Sequence, residues 1–182
     1  MQVKSIVAAF DPAGEVAATR SREATLALLD TVPDALARTT FEPGHVTGSA
    51  VVFDPKGADI VLVRHERVGR WIQPGGHVER HDADVEATAR REVLEETGLE
   101  LTAAVAPLVR IDIHAIPPAK GEPAHLHHDL TFAMVATARE PHHRGEGSWV
   151  WCGIRDLDRF RVDDALRRSV ARAAAWFRSR RL

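Results

Sequence analysis

The chain has 182 residues, of which 45% are apolar and 27% charged, with a formal net charge of −2. That length fits one domain with a sizeable core, the apolar share is too high for a disordered chain, and the near-neutral charge gives no general attraction to nucleic acid or an acidic membrane surface. The single cysteine, Cys152, rules out an internal disulfide framework.

The opening "MQVKSIVAAFDPAGE" has too short an apolar stretch for a secretory signal, and no run approaches the roughly 18 apolar residues of a membrane span, so the chain reads as cytoplasmic. Residues 20–31, "RSREATLALLDT", predict a helix capped by Ser21 and stopping before Pro33, with a shorter helix expected at "PDALART". Next come the β-rich runs "VTGSAVVFD" and "DIVLVRH", separated by the turn formers of "DPKG" and read as a hairpin. A Pro-Gly-Gly turn at 74–76 leads to a helix from about 83 to 97, capped by Asp82 or Asp84 and stopped by Gly98. Two longer strands are expected in "LTAAVAPLVRIDIHAI" and "HDLTFAMVATAR", joined by the Pro/Gly-rich "PPAKGEPAH". "SWVWCGI" is a further strand, and "VDDALRRSVARAAAWFRSR" closes the chain as an amphipathic helix. Its arginines, Arg167, Arg168, Arg172, Arg178, Arg180 and Arg181, read as a solvated face suited to the negative end of the helix dipole rather than as a phosphate site. This order of helix, strands, helix, strands, helix implies a mixed α/β domain with a sheet between helices.

The helix at 83–97 carries the chemistry. Glu92, Glu95 and Glu96 stand three and four residues apart and therefore share one face, with Cβ atoms roughly 5–6 Å from one another. Their repulsion costs on the order of 0.2–0.5 kcal/mol per pair, which Arg91, four residues before Glu95, partly offsets. A hard divalent cation offsets it better, because oxygen-only clusters suit Mg²⁺ or Mn²⁺. "REVLEE" alone reads equally well as a charged outer face. Its setting argues otherwise: a Gly-rich turn preceded by Trp71 feeds the helix, and Gly98-Leu99 ends it.

Together these residues resemble the signature of the Nudix hydrolases. The second half of that box is matched without exception by Arg91, Glu92, Val93, Leu94, Glu95, Glu96, Thr97, Gly98 and Leu99. The first half departs from it: with Gly76 as the box glycine, Asp82 replaces the next glutamate, and one extra residue precedes Arg91. Inside a helix that residue would rotate everything after it by about 100°, so the turn around 80–84 is expected to absorb it.

The resemblance implies an α/β (α+β) fold of the Nudix type, an α/β/α sandwich with a mixed sheet, in one domain over 1–182: an N-terminal helical extension at 1–44 and a catalytic core at 45–182. It also implies a Mg²⁺- or Mn²⁺-dependent pyrophosphohydrolase that cleaves a diphosphate linkage in a small nucleoside diphosphate derivative. By the same analogy Gly76 (through its carbonyl), Glu92, Glu95 and Glu96 are metal ligands, Glu95 is a ligand or the base for water, and Arg91 fixes the glutamates by ion pairing. A homodimer is a further expectation of the resemblance alone.

Outside the box, "HLHHDL" places His125, His127 and Asp129 on one face of a strand, and "IDIH" aligns Asp112 with His114. If these strands line the cleft, the histidines could bind phosphate, supply a base or add metal ligands, the alternative being a sheet edge or loop where they bind nothing; His127 is the candidate substrate contact of this group. Arg64 and Arg70 are candidates for diphosphate contacts, and Trp71, Trp149 or Trp151 for stacking on a nucleobase, with core packing as the alternative for each indole. Two other functions fit the scaffold: a nucleotide sensor that does not hydrolyse, which loss of the box glutamates would mark, and an isopentenyl diphosphate isomerase, disfavoured by the late position of Cys152.

Overall fold

The computed structural model describes residues 3–66, 69–119 and 121–180; Arg181 lies outside them. Two helices, α1 (Val3–Ala9) and α2 (Val16–Thr31), precede the first strand. Helix α2 starts earlier than expected, so Ser21 lies within it and caps nothing. "PDALART" forms turns rather than a helix: Pro33 sets the backbone, Asp34 takes the left-handed φ of 55°, and the Asp34 carbonyl accepts from Ala37 at 2.7 Å.

Seven strands follow: β1 (Gly44–Phe53), β2 (Asp59–His65), β3 (Arg70–Ile72), β4 (Gly75–His77), β5 (Leu108–Ile116), β6 (His125–Val135) and β7 (Trp149–Gly153). Helix α3 (Val85–Thr97) stands between β4 and β5, and α4 (Asp164–Ser179) ends the described chain. The order β3-β2-β1-β6-β5, with β4 on β1 and β7 on β2, makes one mixed sheet in which, among the described residues, β1 and β6 are the parallel pair. The expected hairpin pairs at Phe53↔Ile60, and β2 then leaves β1 to run along β7. The Pro-Gly-Gly turn is also half strand, because Gly75 and Gly76 lie against Ser49 and Gly48 of β1.

Period-two alternation sorts the strand residues between two cores. On one face Val46, Ala50 and Val52 of β1 and Leu130, Phe132 and Met134 of β6 pack with Val85, Ala89 and Val93 of α3 and with Val7 and Leu28 of the N-terminal helices. On the other, Val51, Phe53, Ala133 and Val135 pack with Leu166, Val170 and Ala173 of α4. Helices α1 and α2 therefore contribute to the same core as the sheet; the buried hydrogen bond between Thr25 Oγ1 on α2 and His128 Nδ1 on β6, at 2.9 Å, ties them together. Among the described residues no helix is long and apolar enough to cross a membrane.

The α4 face is apolar along only part of its length. Further along the same strands the alternation continues with Ser49, Thr47 and His45 on β1, Thr131, Asp129, His127 and His125 on β6, and Arg110, Asp112 and His114 on β5. The sheet thus has a polar half-face beyond the end of the α4 core. Of the arginines of α4 and its C-cap, Arg168 and Arg178 are exposed, whereas Arg167 pairs with Asp158 at 2.7 Å, Arg172 binds the backbone carbonyl of Asp11, and Arg180 lies over Trp176.

Candidate active site and metal centre

Helix α3 begins where Asp84 accepts the Ala87 N–H at 2.9 Å and ends at Gly98, whose φ of 72° suits glycine. A Cβ on Gly98 would also lie 1.9 Å from the His143 carbonyl oxygen, so the lack of a side chain there lets the loop between β6 and β7 close on the end of the helix. That loop satisfies the helix's last carbonyls: Glu146 N–H donates to Glu95 O at 2.8 Å and Gly147 N–H to Glu96 O at 3.0 Å. Asp82 is not the cap. It lies in the turn before the helix, where the extra box residue is accommodated.

Asp82 grips Arg91 instead. Arg91 donates to its two carboxylate oxygens from Nε and Nη2, both at 3.1 Å, and Nη2 also reaches the His77 carbonyl at 2.8 Å. Nη1 bridges Glu92 and Glu95, at 2.9 Å to each. One guanidinium therefore holds two of the three glutamates and is itself held by a forked carboxylate. Burial pushes the Asp82 carboxyl up, but the Arg91 fork, the Glu79 N–H and the Thr88 hydroxyl outweigh it and keep the group below its ordinary range. Asp82, in turn, holds Arg91 more firmly charged.

The third carboxylate is held differently. Glu96 Oε2 accepts the Gly75 N–H at 3.2 Å, and burial, reinforced by the charge of Glu92, pushes its pKa up to about 7. Burial likewise raises Glu92, against the pull of Arg91. Gly76 lies under Glu92: a Cβ there would stand 2.3 Å from Glu92 Oε1, so only a residue without a side chain lets the carboxylate rest on the strand. Two half-buried carboxylates with raised pKa values beside an unobstructed backbone make a set of hard oxygen donors. This donor set fits a divalent cation such as Mg²⁺ or Mn²⁺, which Glu92, Glu96, the Gly76 carbonyl and Glu95 could hold.

Beside the C-terminal end of α3 opens a groove of about 720 Å³ whose walls include Trp71, Trp149, His143 and Arg144. Arg64 lies 5.8 Å from the Trp71 ring centroid, so these two candidate residues are brought together. Arg70 is exposed at the start of β3, opposite His65. Trp151 is tied into the structure by donating its Nε1–H to the Arg139 carbonyl at 3.0 Å under the Arg139 guanidinium, and it lines no part of this groove.

His127 belongs to the polar half-face. It shares that face with His125, Nε2 to Nε2 at 3.2 Å, and with Asp129, whereas His128 points to the opposite side. Asp129 is fully buried and raised by burial, although Ser49 and Thr47 donate to it at 2.6 and 2.9 Å. Asp112 meets His114 at 3.3 Å and Arg110 at 2.8 Å; the hydrogen bond from His114 dominates over burial and brings Asp112 down to about 2. Two histidines that the sequence did not single out complete the group. His45 on β1 and His77 on β4 stand with His127 so that one ligating atom from each lies within 4.8 Å of the others. Burial lowers His77 to about 4 and His127 to about 2, leaving neutral rings. No local spacing announces this group; its only signal is the register that sets His45 opposite His127 and Thr47 opposite His77.

A model of the NUDIX domain matches residues 43–176, from just before β1 to near the end of α4. Among solved structures, a NUDIX hydrolase from Nitrosomonas europaea is 21% identical with a TM-score of 0.51, over 72% of this chain and 88% of that one. An Ap4A hydrolase from C. elegans, in a binary complex, is 18% identical with a TM-score of 0.51, over 74% and 98%. The E. coli dihydroneopterin triphosphate pyrophosphohydrolase is 16% identical with a TM-score of 0.50, over 69% and 91%. No curated protein matches the chain. The structural likenesses carry the fold, a mixed sheet flanked by helices, and the domain match spans most of the chain, including every residue from Gly75 to Leu99: the chain belongs to the Nudix hydrolase family.

Proposed function

We propose that the protein is a divalent-metal-dependent pyrophosphohydrolase that cleaves a diphosphate linkage in a small nucleoside diphosphate derivative by attack of water. The observation that carries this reading is the Arg91 fork on Asp82, which holds Glu92 and Glu95 beside the half-buried Glu96 and against Gly75 and Gly76. Two structural neighbours are named as a hydrolase of Ap4A and a pyrophosphohydrolase of dihydroneopterin triphosphate, which supports the reaction class.

Bound Mg²⁺ or Mn²⁺ supplies neutralisation of the non-bridging phosphate oxygens. Glu92 and Glu96 are its main ligands, and Arg91 fixes Glu92 and Glu95 in place by its hydrogen bonds without touching substrate. Water attacks phosphorus, the bridging P–O bond breaks, and a carboxylate takes the proton; Glu95, whose side chain is 47% exposed, is the glutamate most open to that water and serves as base or further ligand. The groove beside α3 receives the nucleoside, with Trp71 and Trp149 as stacking surfaces and Arg64 and Arg70 as polar contacts to the rest of the substrate; His127, on the polar half-face, lines no part of this groove. An isomerase reading is opposed by Cys152, which is buried and pushed up to about 11 by burial, a poor setting for a reactive thiol.

The test is product release from a panel of nucleoside triphosphates, ADP-ribose, dinucleotides, sugar nucleotides and isoprenoid diphosphates, with Mg²⁺ or Mn²⁺ and with Glu96→Gln as control. Metal-dependent turnover that disappears in the variant is expected. Tight nucleotide binding by calorimetry with no turnover of any substrate would replace the enzyme by a sensor.

A further inference from the structure

The polar half-face holds a second constellation that the hydrolytic reaction does not use. His45, His77 and His127 come from three different strands, β1, β4 and β6, and their ligating atoms lie within 4.8 Å of one another. We propose that this trio is a transition-metal site, separate from the carboxylate centre, that takes Zn²⁺ or a similar borderline ion through three imidazole nitrogens.

The geometry of His45 is the most telling part. Its ring is fully buried, and Nδ1 stands 2.9 Å from the Thr40 carbonyl. A carbonyl can only accept, so Nδ1 carries the proton and Nε2 presents a lone pair. That Nε2 is buried and has no hydrogen-bond partner among the described residues. An unsatisfied buried acceptor is costly and rare, and a cation relieves it. An imidazole that donates one N–H to a backbone carbonyl while turning the other nitrogen inward is also the usual support for a metal-bound histidine. His125 repeats the arrangement, with Nδ1 2.8 Å from the Pro123 carbonyl and Nε2 directed at His127, so a fourth nitrogen stands within reach.

The donor type decides the ion. Mg²⁺ selects oxygen ligands, whereas imidazole suits zinc, cobalt, nickel and copper. On a tetrahedral zinc, Zn–N distances of roughly 2.0–2.1 Å place two ligand nitrogens about 3.4 Å apart. The trio must therefore contract by about an ångström, and His77 and His127, both half-buried, can supply this by ring rotation. A bound ion would clamp β4 to β1 and β6. His77 directly follows Gly76, and its carbonyl holds Arg91, so the clamp would also steady the strand on which Glu92 and Glu96 rest.

The experiment uses untagged full-length protein, freed of metal and then saturated with Mg²⁺, titrated with Zn²⁺ by calorimetry and with Co²⁺ by visible absorption. One equivalent of Zn²⁺, a Co²⁺ spectrum of tetrahedral nitrogen ligation and a rise in Tm of about 5–10 °C at a hundredfold excess over Kd are expected. All three should persist in Glu92→Gln/Glu96→Gln and be lost in His127→Gln and in His77→Gln, which replace half-buried rings and spare the buried His45. Three results would overturn the proposal: no stoichiometric Zn²⁺ binding by the wild type, binding that the histidine variants retain, or binding that the glutamate variant loses while the histidine variants keep it.

Discussion

The carboxylate helix and the histidine floor are both clusters of ligating side chains, yet they are built in opposite ways. Glu92, Glu95 and Glu96 come from one turn of one helix, so their proximity is a property of the α-helical period and survives any rearrangement that keeps α3. His45, His77 and His127 come from segments as far as 82 positions apart and meet only because β1 pairs with β4 on one side and β6 on the other. Local construction makes the first cluster robust but self-repelling, and it must be steadied by Arg91. Non-local construction gives the second no intrinsic stability, and it tests whether the sheet has the right register.

Arg91 is the residue on which the helix cluster depends most. Arg91→Met leaves Asp82, whose side chain is 3% exposed, as a buried charge without its partner. A loss of about 3 kcal/mol is expected by urea denaturation, with turnover nearly abolished in whatever folds. Arg91→Lys keeps the charge but not the fork, and should fall between the two.

Gly76→Ala strikes the helix cluster without touching a charge. The new methyl collides with Glu92, so turnover should fall about 100-fold while far-UV circular dichroism stays unchanged. An active Gly76→Ala would mean that Glu92 need not rest on the strand.

Acid distinguishes the histidine region. His77, His127 and His128 all have folded pKa values lowered by burial, to about 4, 2 and 4, against an ordinary 6.5. Between pH 6.5 and 4 the unfolded chain therefore binds protons that the folded chain refuses, and stability falls as pH drops through that window. A decrease of about 2 kcal/mol is expected between pH 6.5 and 4, and His128→Leu should shallow the slope. A flat profile would mean that these rings are solvated.

The smallest effect is reserved for the groove. Trp71→Ala should raise KM about tenfold for a nucleoside substrate and change kcat little, since stacking acts on ground and transition states alike. A change in kcat alone would place Trp71 in support of the catalytic centre.

What could be read from the sequence follows the same division. The extent of α3, its stop at Gly98 and its acidic face are local facts, as is the alternation that puts Asp112 with His114 and His125 with His127. The Asp82 fork was hidden because its partner lies nine residues away across a turn, where a cap was an equally good reading. The strand of Gly75–His77 was hidden because glycines announce turns, yet here they are needed for close approach to Glu92. "PDALART" has helix formers, but it is too short to outlast Pro33 and the left-handed Asp34. His45 and His77 could not be singled out without the pairing of three strands.

The central claim is that Glu92 and Glu96 hold the catalytic cation, and Mn²⁺ binding followed by electron paramagnetic resonance tests it most directly. Wild-type protein should bind Mn²⁺ at least tenfold more tightly than Glu92→Gln/Glu96→Gln at equal thermal stability, and His127→Gln should bind it as wild type does. Equal Mn²⁺ affinity in wild type and the double glutamine variant would contradict the account, because the carboxylates that define the helix would then not be holding the ion.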